Sequence, residues 1–202
     1  MRVIGLTGSV AMGKSTTAAM LRRLGLPVFD ADAAVHRLTA PGGVAVARVA
    51  ARFPGCLDAA GGVDRARLRA RVLGRPADLA DLEAILHPLV AAGQARFLAA
   101  CRRRRLPFAV LDIPLLLETR GRKGCDRVWV ASAPATIQRQ RVLARPGMTP
   151  ERLKEILARQ MPDAEKRRRA DLVVPTGQGR RIALNRVRRA LARLRRHPPE
   201  AR

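Results

Sequence analysis

The chain opens on Arg2-Val-Ile-Gly-Leu-Thr7, an apolar run of strand length, followed at once by Gly8-x-x-x-x-Gly13-Lys14-Ser15. Apolar spacing at Ala18, Ala19, Leu21 and Leu24 then predicts a helix from Ser15 to Leu24. Strand, glycine-rich loop and helix in this order form a phosphate cradle. Glycines let the backbone N–H groups approach phosphate oxygens, the lysine reaches the β- and γ-phosphates, and the serine hydroxyl binds Mg²⁺. The helix adds the positive end of its dipole. Gly8, Ser9, Val10, Ala11, Met12, Gly13, Lys14, Ser15 and Thr16 are therefore the expected nucleotide-binding segment.

Short apolar runs alternate with longer helical patterns, which predicts a parallel α/β sheet. The expected strands are Val3–Leu6, Leu26–Phe29, Phe108–Leu111, Arg127–Ala131 and Leu172–Val174. Ligands in such sheets gather outside the carboxyl ends of the strands. Asp30-Ala-Asp32, Asp112–Glu118 and Ser132 all fall there. Helical patterns at 33–52, 65–73 and 78–104 are broken at Pro41-Gly-Gly43, Pro54-Gly55, Gly61-Gly62 and Pro76, and His87-Pro88 ends one run and begins another. They predict an inserted helical lobe. A basic helical hairpin, 135–144 and 149–160, reads as a lid. Arg180–Arg196 reads as a cationic helix, and His197–Arg202 is expected to fray.

Apolar residues make up 48% of the chain, which excludes disorder. The net charge of +24 comes from four lysines and 36 arginines against 16 acidic residues. Such a charge attracts polyanions, and a nucleic-acid-binding ATPase is the reading it suggests. The arginines are spread along the chain, however, and aromatic stackers are scarce at 2%. Compositional bias toward arginine therefore accounts for the charge, and no nucleic-acid partner is expected. Three cysteines without a CxxC pair read as reduced thiols of a cytoplasmic protein. No apolar run approaches the roughly 20 residues of a membrane span, so no membrane association is expected.

Phosphoryl transfer needs cradled phosphates, a metal, an aligned nucleophile and cations that gather developing charge. Asp32 is a candidate to take the proton of an acceptor hydroxyl, or to hold Mg²⁺ through water. One of Asp30 and Asp32 serves equally well as a helix cap. Asp112 reads as a Walker B acid or as a strand-end turn residue. His87 and His36 are candidate binding residues, with packing or capping as the simpler role. Arg141 and Arg145 share one helical face with Gln138, and a lid arginine there stabilises the transferring phosphoryl group.

Taken in order, these pieces resemble dephospho-coenzyme A kinase. They are the P-loop at Gly5–Thr16, Asp30-Ala-Asp32 with His36, Gly62-Val-Asp-Arg65, His87-Pro-Leu-Val90, Pro114-Leu-Leu-Leu-Glu118, Gln138-x-x-Arg141, Gln160, Lys166 and Ala170-Asp171. The resemblance implies one α/β P-loop kinase domain over 1–202, with a five-stranded parallel sheet flanked by helices. Segments 1–32, 105–134 and 170–196 would form the nucleotide core, 33–104 a helical acceptor-binding insertion and 135–169 a helical lid. It implies transfer of the γ-phosphoryl of ATP, with Mg²⁺, to the ribose 3′-hydroxyl of dephospho-coenzyme A. Asp32, Lys14 and Arg141 would be catalytic, and Arg141 and Thr176 would join the P-loop around ATP. Asp32, His36, Arg65, His87, Pro114, Leu115 and Glu118 would border the acceptor. The expected assembly is a monomer or weak homo-oligomer. Leu117 stands where the family has Phe, and Thr176 where it has Asn. The 120–124 loop has no counterpart. A nucleoside or nucleotide kinase is the alternative in the same class.

Overall fold

A computed structural model of the chain describes residues 1–119 and 122–196. The expected fraying at 197–202, and Arg120 and Gly121 of the 120–124 loop, lie outside the described residues. The elements run β1 (Arg2–Thr7), α1 (Lys14–Arg23), β2 (Val28–Asp30), α2 (Ala31–Thr39), α3 (Val46–Arg52), α4 (Arg65–Val72) and α5 (Pro76–Arg103). They continue with β3 (Phe108–Asp112), α6 (Leu116–Thr119), β4 (Arg127–Ser132), α7 (Ala135–Leu143), α8 (Pro150–Ala158), α9 (Asp163–Arg169), β5 (Leu172–Pro175) and α10 (Arg180–Arg196).

The five strands form one parallel sheet in the order β2-β3-β1-β4-β5. β1 is central and buried at all six residues, as its unbroken apolar sequence requires of a parallel strand covered on both faces. Ile4 pairs with Val110 of β3 and Arg127 of β4. Two carboxylates tie the amino ends of the strands: Val3 N–H donates to Asp126 at 2.7 Å and Val128 N–H to Asp171 at 2.7 Å. Because the chain is so poor in aromatic residues, its core is mainly aliphatic: Ile4, Leu6, Leu21, Val110, Val174 and Val187 cluster with Trp129.

The chain divides into two compact units, Met1–Phe29 with Cys101–Arg202, and Asp30–Ala100. The first holds the sheet and also α7, α8 and α9, the segment expected as a lid. The second is helical. Its core is Val49, Phe53, Cys56, Val63 and Leu68, closed by Leu82, Ile85, Leu86 and Leu89 of α5.

Three local expectations need correction. His87-Pro88 does not break α5, which runs unbroken over 28 residues with Pro88 inside. A proline removes the hydrogen bond to the carbonyl four residues back. That carbonyl belongs to exposed Ala84, which solvent can reach, and the leucines on either side keep the helix packed. With the two runs joined, α5 is long and apolar enough to cross a membrane by length and composition, against the expectation that no run approaches that length. Finally, the basic hairpin is followed by a third helix, α9. Its signal is Pro162 ahead of two acidic residues in the first turn and four basic residues in the last.

Burial pushes the Asp171 carboxyl up, but Arg122 and the Val128 N–H outweigh it and hold the group below its ordinary value of 3.8. A depressed folded value stabilises above the unfolded value, and the contribution is lost as pH falls through the folded one. Asp171→Ala should therefore lower stability at pH 7 by about 1–2 kcal/mol. It should also flatten the loss of stability on acidification below about pH 4. Urea midpoints at pH 7 and pH 3 measure both, and an acid profile matching the parent would remove Asp171 from this role.

Candidate nucleotide-binding site

β1 ends at Thr7, and the loop after it is rooted by its neighbours. The Thr7 hydroxyl donates to the Pro114 carbonyl at 2.7 Å, and Ile113 N–H to the Leu6 carbonyl at 3.0 Å. A Cβ on Gly8 would lie 2.7 Å from the Ala131 carbonyl oxygen, so only glycine lets the loop pass this close to β4. Gly13 has φ +84°, and a Cβ there would meet the Thr176 side chain at 2.8 Å. Ala11 also has positive φ, +56°, which costs a non-glycine residue strain.

Gly13 is the N-cap of α1 and supplies no side-chain cap, and no acidic residue stands in the first turn. The leading N–H groups and the positive helix end are thus presented to the loop, the arrangement that binds phosphate. Ser15 and Thr16 sit in that first turn, and both are exposed. Lys14 Nζ donates to Asp112 Oδ1 at 2.7 Å, and Asp112 is only 2% exposed. The residue at the end of β3 is therefore bonded to the P-loop lysine.

Arg141 of α7 and Thr176 after β5 close the loop's other side. The Arg141 guanidinium donates to the Thr176 carbonyl at 2.6 Å, and to the Ala11 carbonyl and Thr176 hydroxyl at 3.3 Å each. The Thr176 hydroxyl donates to the Met12 carbonyl at 2.6 Å. Two glutamines grip the Val10 backbone: Gln138 Nε2 donates to its carbonyl at 2.9 Å, and its N–H donates to Gln160 Oε1 at 3.0 Å. The buried Ala133 N–H donates to the Met12 thioether at 3.1 Å. Residue spacing signals Gln138, which shares a face with Arg141, but nothing signals the contacts of Gln160 or Met12. Arg145, on the same expected face, is exposed.

Pro114 is half-buried and Leu115 exposed, while Leu116 and Leu117 are buried against Val128 and Val130. The Leu117 departure thus falls in the core. The Glu118 carboxylate accepts from Met161 N–H at 3.0 Å and faces the Lys166 ammonium at 2.7 Å.

The remaining expected residues belong to the helical unit. Asp30 is the cap of α2, accepting from Ala33 N–H at 2.9 Å. Asp32 is left exposed in the first turn of α2, with exposed His36 one turn on along the same face. Exposed Arg65 begins α4, which Asp64 caps, and His87 is exposed on α5. Thus the sheet unit brings Lys14, Asp112, Arg141 and Thr176 together at the P-loop, and the helical unit carries Asp32, His36, Arg65 and His87.

Comparison with known proteins agrees in extent and in kind. The family profile described as dephospho-CoA kinase matches residues 2–180. A dephospho-CoA kinase of Rhodospirillum rubrum is 57% identical over 186 residues, covering 92% of this chain and 88% of the relative. One from Mesorhizobium japonicum is 59% identical over 179 residues, covering 89% of each. A crystal structure from Thermus thermophilus is similar with TM-score 0.83 at 35% identity, covering 96% of this chain and 97% of that one. The chain belongs to the dephospho-CoA kinase family.

Proposed function

We propose that the chain transfers the γ-phosphoryl of ATP to the ribose 3′-hydroxyl of dephospho-coenzyme A, yielding coenzyme A and ADP. The observation that carries the reading is the cradle at the end of β1. There the uncapped amino end of α1 and Lys14 address one loop held open by Gly8 and Gly13. Family membership supplies the acceptor. Both substrates are small and soluble, as suits a cytoplasmic enzyme.

In this reading the N–H groups from Gly13 to Thr16 hold the ATP phosphates, and Lys14 exchanges Asp112 for phosphate oxygens. Arg141 and Thr176 border the nucleotide, and the Arg141 guanidinium gathers charge on the transferring group. Asp32, freed from capping by Asp30, accepts the proton of the attacking hydroxyl. His36, Arg65, His87, Pro114 and Leu115 border the acceptor. The Ser15 hydroxyl and the Asp112 carboxylate are hard oxygen donors of the kind Mg²⁺ takes, and Mg²⁺ so held would neutralise phosphate charge.

Coupled ADP release should be fast with dephospho-coenzyme A and slow with nucleosides and nucleotides. The reverse order would make the chain a nucleoside or nucleotide kinase. Asp32→Asn should lower turnover by about 10²- to 10⁴-fold while ADP still binds. Near-normal turnover would leave Asp32 without a proton to move. For Arg141→Ala, kcat should fall by more than ATP affinity does, as for a group that acts on the transition state. Equal losses would confine Arg141 to holding Thr176 against the loop.

A further inference from the structure

A buried polar assembly lies beside the P-loop, and the phosphoryl-transfer roles above do not use it. Lys166 of α9 is 0% exposed, and its ammonium lies 2.7 Å from Glu118 Oε1. The same oxygen accepts the Met161 N–H at 3.0 Å. One helical turn from Lys166, Asp163 accepts from the Ser132 hydroxyl at the end of β4 at 2.7 Å. The segment between α8 and α9 is thereby bolted to the sheet unit at α6 and at the end of β4. The residue immediately before Met161 is Gln160, which holds the Val10 N–H, while Gln138 holds the Val10 carbonyl.

The charges explain why the bolt is rigid. An ammonium with no exposure cannot be left unpaired, so Lys166 and Glu118 stay together, and the orientation of Glu118 fixes Met161. Fixing Met161 fixes the amide of Gln160. The peptide it grips precedes Ala11, whose left-handed backbone would relax without outside support. The resemblance implies an acceptor contact for Glu118, but its Oε1 is engaged by Met161 and Lys166, and its Oε2 is buried without a hydrogen-bond partner.

We propose that Gln138 and Gln160 are positioning residues that clamp the Val10 peptide in its phosphate-binding form, and that Glu118 with Lys166 holds Gln160 in place. Glu118 then acts on the nucleotide and not on the acceptor. The inference rests on the kinase reading, and parental turnover with dephospho-coenzyme A tests that reading separately from the clamp.

The test measures ADP affinity by calorimetry and both Michaelis constants in the full chain. Gln160→Ala removes one side of the clamp on a partly exposed residue, so folding is retained. ADP affinity should fall by about 3- to 10-fold, with the KM for ATP rising alongside and that for dephospho-coenzyme A moving by less than about two-fold. Removing Glu118 alone would strand the buried Lys166, so two double variants that lack both charges are compared. E118Q/K166M keeps an acceptor for Met161 N–H and should bind ADP more tightly than E118A/K166M, by the factor that Gln160→Ala loses. Adding Gln160→Ala to E118A/K166M should cost little more, because one chain of contacts is already broken. Unchanged ADP affinity in Gln160→Ala would overturn the clamp. Equal ADP affinity in the two double variants, or a rise confined to the KM for dephospho-coenzyme A, would overturn the role of Glu118.

Discussion

A phosphate cradle works only while its N–H groups stay available to the ligand. The loop can therefore use few of them to hold its own shape, here the Met12 N–H to the Ser9 carbonyl at 3.1 Å, and most restraints come from elsewhere. In this chain the restraints fall mostly on carbonyls, with the Val10 N–H held by Gln160 as the exception. Carbonyls of Val10, Ala11 and Met12 accept from Gln138, Arg141 and Thr176. The Met12 thioether accepts from Ala133, and glycine at 8 and 13 lets β4 and Thr176 press close. The donors come from the ends of β4 and β5 and from α7, elements far apart in sequence from the loop. A parallel sheet brings them together because all its strands end at the same edge.

This division of labour explains what was legible in the sequence. Period and punctuation reveal the strands, since apolar runs of Val, Ile and Leu bounded by Gly and Pro have few other solutions. The P-loop was legible because its pattern is local: both glycines, the lysine and the serine lie between Gly8 and Ser15. Its supports were not. Gln160 touches Val10 across 150 positions, and a lone glutamine ahead of Met161 carries no pattern that says so. Similarly, Asp30 and Asp32 were indistinguishable by type, and only the bond from Ala33 N–H decides which one caps α2. His87-Pro88 misled for a related reason. Proline's local cost is fixed, but the gain from packing Leu82, Ile85, Leu86 and Leu89 is tertiary and outweighs it.

The Lys14–Asp112 pair sets a condition on nucleotide entry. With Asp112 nearly sealed from water, an unpaired carboxylate there would be costly, and so would an unpaired ammonium. Pairing them satisfies both charges and fixes the lysine beside the loop. On the proposed function phosphate would compete for Lys14, and a hard cation beside Asp112 would lower the cost of that exchange by taking over the carboxylate. On that proposal, binding of nucleotide and of cation would be coupled through one carboxylate and one ammonium.

The chain's bias toward arginine sharpens the meaning of its lysines. Arginine serves 36 of 40 basic positions, so a lysine that remains stands where the bias did not act or where arginine does not fit. Lys123 and Lys154 are exposed, and either cation would serve there. Lys14 and Lys166 are different, because each is a compact point charge set against a single carboxylate in a confined space. A planar guanidinium is broader and needs more acceptors than Asp112 or Glu118 provides. The fully buried Lys166 shows the sterner requirement, since surplus donors of an arginine there would be stranded away from water. The overall charge of +24 thus says little about partners, while the two lysines that resist the bias mark the P-loop and the bolt that holds its neighbour.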